Sequence, residues 1–126
     1  MTQQPRRSQA VIGIAGWKNS GKTTLTERLI GELTARGLVV STIKHAHHDA
    51  VIDTPGTDSD RHRRAGASEV ALVTANRWAL MHEMRGRPEP DFAEVLAKLS
   101  PVDLVLVEGY KLEAIPKIEV RRRAGN

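Results

Sequence analysis

The chain has 126 residues, a formal charge of +4 and no cysteine. That length suffices for one domain around one core, and the absence of thiols excludes a disulfide framework and a thiolate metal site. One Phe and one Tyr are too few for a base-stacking surface, so the excess of arginine points to a polyphosphate or an acidic partner rather than to nucleic acid.

Residues 1–8 read as a polar, disordered tail. Arg6 and Arg7 are followed by no uninterrupted apolar segment, so a secretory signal is not expected. No apolar run approaches the roughly 18 residues of a membrane span. The chain reads as cytoplasmic. Gln9 to Ala15 is a first, buried strand. From Lys22 to Arg36, Leu25, Leu29, Ile30 and Leu33 recur at helical spacing, and Gly37 stops that helix. Leu38 to Lys44 is β-branched and alternating, a second strand. Strand, helix and strand with short links make a parallel βαβ unit. Ser59 to Ala65 is a short arginine-rich helix. Glu69 to Thr74 and Trp78 to Met84 flank a tight turn and form an antiparallel hairpin. Asp91 to Leu99 carries Phe92, Val95, Leu96 and Leu99 on one helical face. Val102 to Val107 is a buried central strand, and Ile115 to Val120 is the last. The expected fold is α/β: a three-layer, P-loop NTPase-like domain over residues 9–120, with a mostly parallel mixed sheet that includes one β-hairpin. A basic tail, 121–126, follows it.

Gly16-Trp-Lys-Asn-Ser-Gly-Lys-Thr-Thr24 stands between the first strand and the first helix and fits G-x-x-x-x-G-K-[ST]. The glycines let successive N–H groups turn inward around a phosphate chain. The N–H groups of Asn19, Ser20, Gly21, Lys22 and Thr23 are placed to cradle the β-phosphate at a helix N-terminus. Lys22 is placed to neutralise the β- and γ-phosphates, Thr23 to ligate Mg²⁺, and Thr24 to reach the α-phosphate. Lys18 adds charge inside the loop. Phosphoryl transfer also needs an acid near the metal. Glu108 ends the apolar strand, and Asp53 opens Asp-Thr-Pro-Gly56, the D-x-x-G of switch loops, where the glycine N–H meets the γ-phosphate. Lys44-His45-Ala-His47-His48-Asp49 places three histidines in four residues. With no cysteine and no second histidine cluster, contact with phosphate or a partner is the stronger reading, and a transition metal the weaker. Arg61, Arg63 and Arg64 stand on one short segment, which either meets the triphosphate, a neighbouring subunit or an acidic substrate, or forms a solvated helix face. No N-K-x-D motif identifies the base.

Six blocks occur in one order: Gly16 to Leu25, Ile43 to His48, Asp53 to Ser59, Arg64 to Ala67, Leu106-Val-Glu-Gly-Tyr-Lys111 and Pro116-Lys-Ile-Glu-Val120. Together they resemble the MobB family, the molybdopterin-guanine dinucleotide biosynthesis adaptor proteins. The resemblance implies a homodimeric GTP-binding protein that assists a MobA-like guanylyltransferase, the enzyme joining GMP from GTP to molybdopterin, with molybdopterin as a further candidate ligand. It implies GTP and Mg²⁺ as cofactors and at most slow GTP hydrolysis. It also implies switch-like roles for His45, His47, His48 and Asp53 to Ser59, and a metal-side role for Glu108. That class often carries a lysine directly after the first loop glycine; here Trp17 holds the place and Lys18 follows. A small-molecule kinase and a metal-delivery GTPase built on the three histidines are the competing expectations.

Overall fold

The computed structural model describes residues 9–16, 21–46, 52 and 55–121. Along them run β1 (Ala10–Gly16), α1 (Lys22–Ala35), β2 (Val40–Lys44), α2 (Asp58–Ala65), β3 (Glu69–Val73), β4 (Trp78–His82), α3 (Phe92–Lys98), β5 (Leu104–Glu108) and β6 (Lys117–Val120). This is the order expected from the sequence. The chain divides into two compact units, Met1–Ala46 with Asp91–Asn126, and His47–Pro90.

The first unit is built on a four-stranded sheet in the order β2-β5-β1-β6. Every pairing in it is parallel. A parallel sheet is covered on both faces, so its central strand is apolar throughout. β5 meets that demand: Leu104 to Val107 are all buried, and Val105 and Val107 have no exposed surface. Burying one such side chain is worth roughly 1.5–3 kcal/mol. Alternation sends Leu104 and Leu106 to one face with Ile14, against Leu25, Leu29, Ile30 and Leu33 of α1. Val105 and Val107 go to the other face with Ile43, against Phe92, Val95 and Leu96 of α3. The result is three layers, helix on sheet on helix.

The helix ends follow local chemistry. α1 closes with Gly37 N–H on Thr34 O (3.0 Å) and Leu38 N–H on Leu33 O (3.1 Å), a Schellman pair that uses the left-handed Gly37 (φ 86°). Asp91 caps α3 by accepting Glu94 N–H at 2.9 Å.

The second unit holds α2 and the hairpin. Among the described residues β3 and β4 pair only with each other, as an antiparallel sheet of their own. The sequence placed this hairpin within one mixed sheet. Alternation shows which face a strand buries, not which strand it joins. The Thr74 hydroxyl holds the turn, accepting the N–H groups of Asn76 (3.3 Å) and Arg77 (3.1 Å). No described helix is long and apolar enough to cross a membrane.

Candidate phosphate-binding site

Because β1, β2 and β5 are parallel neighbours, their carboxyl ends share one edge of the sheet. In register, Glu108 lies beside Ile14 on one side and Lys44 on the other. That edge gathers Gly16, Gly21, Lys22, Thr23, Thr24, His45 and Glu108, as in α/β proteins whose ligands sit beyond the strand ends. Lys18, Asn19, Ser20, His47, His48 and Asp53 lie outside the described residues. Gly56 belongs to the second unit.

Gly21 precedes α1 with φ 99° and offers no side chain to cap it. A Cβ there would meet Val120 Cγ1 at an ordinary 3.9 Å, so the backbone angle, not space, calls for glycine. The first turn of α1 holds no acidic residue, whereas α2 opens on Asp58 and Asp60 behind a Thr57 cap, and α3 on Glu94 behind Asp91. Uncapped N–H groups and the positive end of the helix dipole leave α1 suited to an external anion. Lys22 is half-buried and lines an open cavity of about 430 Å³ with Gly16, Gly109, Lys111, Lys117 and Glu119. Thr23 and Thr24 are exposed beside it in sequence.

The Glu108 side chain is 15% exposed, and its Oε2 lies 4.0 Å from Lys44 Nζ. Its Oε1 lies 2.8 Å from the hydroxyl of buried Thr26. The same hydroxyl is 2.8 Å from the Lys22 carbonyl. One hydroxyl proton serves one acceptor at a time, so Thr26 links the strand-end carboxylate to the first turn of α1. The Thr23 hydroxyl and the Glu108 carboxylate are hard oxygen donors, the chemistry Mg²⁺ prefers. Among the described residues no group of three or more His, Cys, Asp or Glu is placed to hold a metal. These two donors therefore suit a Mg²⁺ whose remaining positions phosphate oxygens and water would fill.

His45 sits one residue past β2, its N–H on Glu108 O at 2.9 Å. Its ring lies 4.6 Å from the Tyr110 ring, which meets Phe92 edge-on at 5.0 Å. To reach that place the chain turns at Gly109 (φ 90°) and Tyr110 (φ 51°).

In the second unit, the Gly56 N–H, expected at a terminal phosphate, donates to Asp60 Oδ2 at 2.9 Å. Arg63 also pairs with Asp60, and Arg64 Nε lies 3.0 Å from it. The Gly56 hydrogen bond and the two guanidiniums outweigh burial and lower the Asp60 pKa to about 2. Two of the three arginines are thus tied within α2. Arg61 lies with Asp58 and His62 beside a second concavity of about 440 Å³.

Thr26, Asp60 and Gly109 were not singled out from sequence. Thr57-x-x-Asp60 was the available signal for Asp60, as a variant of the capping box. Nothing local signals the contact of Thr26 with a residue 82 positions away.

A parallel sheet covered by a helix on each face, with the Gly16–Thr24 motif joining its first strand to its first helix, defines an α/β protein of the P-loop NTPase-like class. The family model for MobB, molybdopterin guanine dinucleotide synthesis protein B, matches residues 11–126. The chain belongs to the MobB family. It is 48% identical over 116 residues to the molybdopterin-guanine dinucleotide biosynthesis adapter protein of Haemophilus influenzae, a match covering 90% of this chain and 64% of that protein. It is 43% identical to the Escherichia coli adapter protein, covering 89% and 65%. The crystal structure of a MobB protein homolog from Bacillus stearothermophilus superposes with a TM-score of 0.66 at 33% identity, covering 89% of this chain and 63% of that one. The chain thus spans a little under two thirds of the length of these relatives.

Proposed function

We propose that this protein is an adapter in molybdopterin-guanine dinucleotide biosynthesis that binds Mg–GTP, hydrolyses it slowly and assists the guanylyltransferase of that pathway. The observation that carries the reading is the start of α1. It is the one described helix with neither a side-chain cap nor an acidic first turn, and it begins at Lys22 behind a glycine loop. The names of the relatives supply the pathway, and the pathway supplies guanine. In this reading the Gly16–Thr24 loop cradles the phosphates and Lys22 neutralises the β- and γ-phosphates. Thr23 and Glu108 serve the metal side, and His45 responds to the terminal phosphate. Bound Mg²⁺ would screen the phosphate charges. Slow turnover accords with the cavity beside Lys22, where the described lining holds lysines and no arginine. An arginine at the γ-phosphate accelerates hydrolysis about 10³–10⁵-fold.

The reading includes a homodimer. Its support is the hairpin, where Val73, Trp78 and Leu80 are more than half exposed.

Titration calorimetry with GTP, GDP and ATP, with and without Mg²⁺, tests the nucleotide. GTP is expected to bind only with Mg²⁺, and Lys22→Ala to weaken it at least about 100-fold, the scale of a lost charge-assisted phosphate contact. Tight ATP binding with no response to GTP would overturn the reading. Adding the transferase then tests assistance: guanylyl transfer should rise with wild type and not with Lys22→Ala.

A further inference from the structure

Thr26 is the buried residue of α1, on a helix whose Leu25, Leu29, Ile30 and Leu33 pack against the sheet. A hydroxyl buried there needs a partner, and the Lys22 carbonyl one turn back, 2.8 Å away, is enough to supply it. The second contact, 2.8 Å to Glu108 Oε1, reaches a residue 82 positions away. It is not required to satisfy the hydroxyl, so its beneficiary is the carboxylate. Threonine is stiff at χ1, which holds Oγ1 between the two acceptors. Of the two, the carboxylate makes the stronger bond with the hydroxyl. With Oε1 engaged, Oε2 is the oxygen left for a cation, and it lies 4.0 Å from Lys44 Nζ. Thr23, the other hard oxygen donor, stands three residues before Thr26 and is its neighbour on the helix surface. One turn of α1 thus carries Thr23 and restrains Glu108.

We propose that Thr26 is a positioning residue for the metal side of the site. Its hydroxyl holds the Glu108 carboxylate in one orientation before Mg²⁺ and nucleotide arrive, and so lowers the Mg²⁺ concentration that nucleotide binding needs. The inference rests on the reading of Gly16–Thr24 and Glu108 as a Mg–nucleotide site. A glutamate at a strand end otherwise samples several rotamers, and ordering it at the moment of binding costs affinity. Thr26 moves that ordering into the folded protein. A tie to α1, rather than to a neighbouring strand, also keeps the carboxylate in register with the Thr23 hydroxyl.

The probe is a non-hydrolysable GTP analogue, its binding followed as Mg²⁺ is titrated, with the urea midpoint of each variant read alongside. Thr26→Val keeps the shape and removes the hydroxyl; Thr26→Ser keeps the hydroxyl and removes the methyl. In Thr26→Val the Mg²⁺ midpoint should rise at least about threefold, the scale of ordering one side chain on binding. Thr26→Ser should lie closer to wild type than to Thr26→Val, even where its urea midpoint falls. Glu108→Gln should raise the Mg²⁺ midpoint at least as far as Thr26→Val does. A smaller rise in Thr26→Val overturns the proposal. So does a Thr26→Ser value no closer to wild type, which would assign the effect to packing. A Glu108→Gln midpoint below that of Thr26→Val also overturns it, because the hydroxyl would have nothing to act through. If Thr26→Val does not fold, Thr26→Ala takes its place under the same criteria. A wild type that binds no analogue at any Mg²⁺ concentration removes the nucleotide reading and this inference with it. A wild type that binds, with Thr26→Val matching it, removes this inference alone.

Discussion

Gly109 is the residue on which the geometry of the strand-end edge turns. A Cβ there would stand 2.7 Å from His45 Cβ and 3.2 Å from His45 O. Neither atom belongs to a flexible chain end, so the clash is relieved only by moving the end of β2. The φ of 90° adds a second cost for any other residue. At Gly21 only the angle is special, because its nearest contact is 3.9 Å away. Gly109→Ala should therefore destabilise the protein by about 1–3 kcal/mol, read as a lower urea midpoint at unchanged slope. A midpoint equal to wild type would show that His45 is not held against this turn. The contrast also shows what the sequence reveals about single residues. Gly21 and Lys22 stand out because their roles are encoded within nine consecutive positions. Gly109 and Thr26 do not, because their partners, His45 and Glu108, are brought near only by the register of β2, β5 and α1.

At the scale of the element, α2 shows how a segment rich in arginine can be stable in isolation from any ligand. Its carboxylate, Asp60, is 1% exposed and accepts from Gly56 N–H, Arg63 and Arg64. Its pKa is lowered from 3.8 to about 2. A depressed carboxylate pKa binds fewer protons in the folded state than in the unfolded one. Its stabilisation is therefore complete above the unfolded value and is lost as pH falls from about 4 toward 2. Asp60→Asn should lower the urea midpoint at pH 7, and the gap between variant and wild type should narrow as pH falls toward 2. A gap independent of pH over that range would show that Asp60 acts through shape and not through charge. Element identities were legible because apolar spacing of 3.6 and 2 residues is a local signal. No end moved by more than two residues: the last strand begins at Lys117, not Ile115, and β2 at Val40, not Leu38. Hydrogen bonding sets those limits, with Leu38 N–H still committed to the end of α1.

Across the whole molecule the two sheets differ in how they are finished. The parallel sheet has a helix on each face, so its apolar strands are enclosed within one unit. That enclosure was legible, because the short apolar run Leu104 to Val107, bounded by Pro101 and Gly109 and rich in β-branched valine, fits a strand buried on both sides. The separation of the hairpin was not, because strand partnership depends on contacts far apart in sequence. On one face of the hairpin, cross-strand pairing aligns Val73 with Trp78, Ala71 with Leu80 and Glu69 with His82. Trp78 is 68% exposed and Val73 71%, and the Glu69–His82 contact at 3.0 Å gives that face a polar end. An apolar centre with a polar margin is the anatomy of a protein interface, and buried tryptophans are frequent hot spots there. If a second copy covers this face, Trp78→Glu should weaken the dimer at least about 30-fold, the equivalent of a hot spot worth roughly 2 kcal/mol, and leave the monomer folded because the side chain is exposed within the chain. Sedimentation velocity across a concentration series, with circular dichroism on the same samples, reads both effects. A wild type that stays monomeric throughout, or a Trp78→Glu variant that dimerises as tightly as wild type, would remove the hairpin face from the interface.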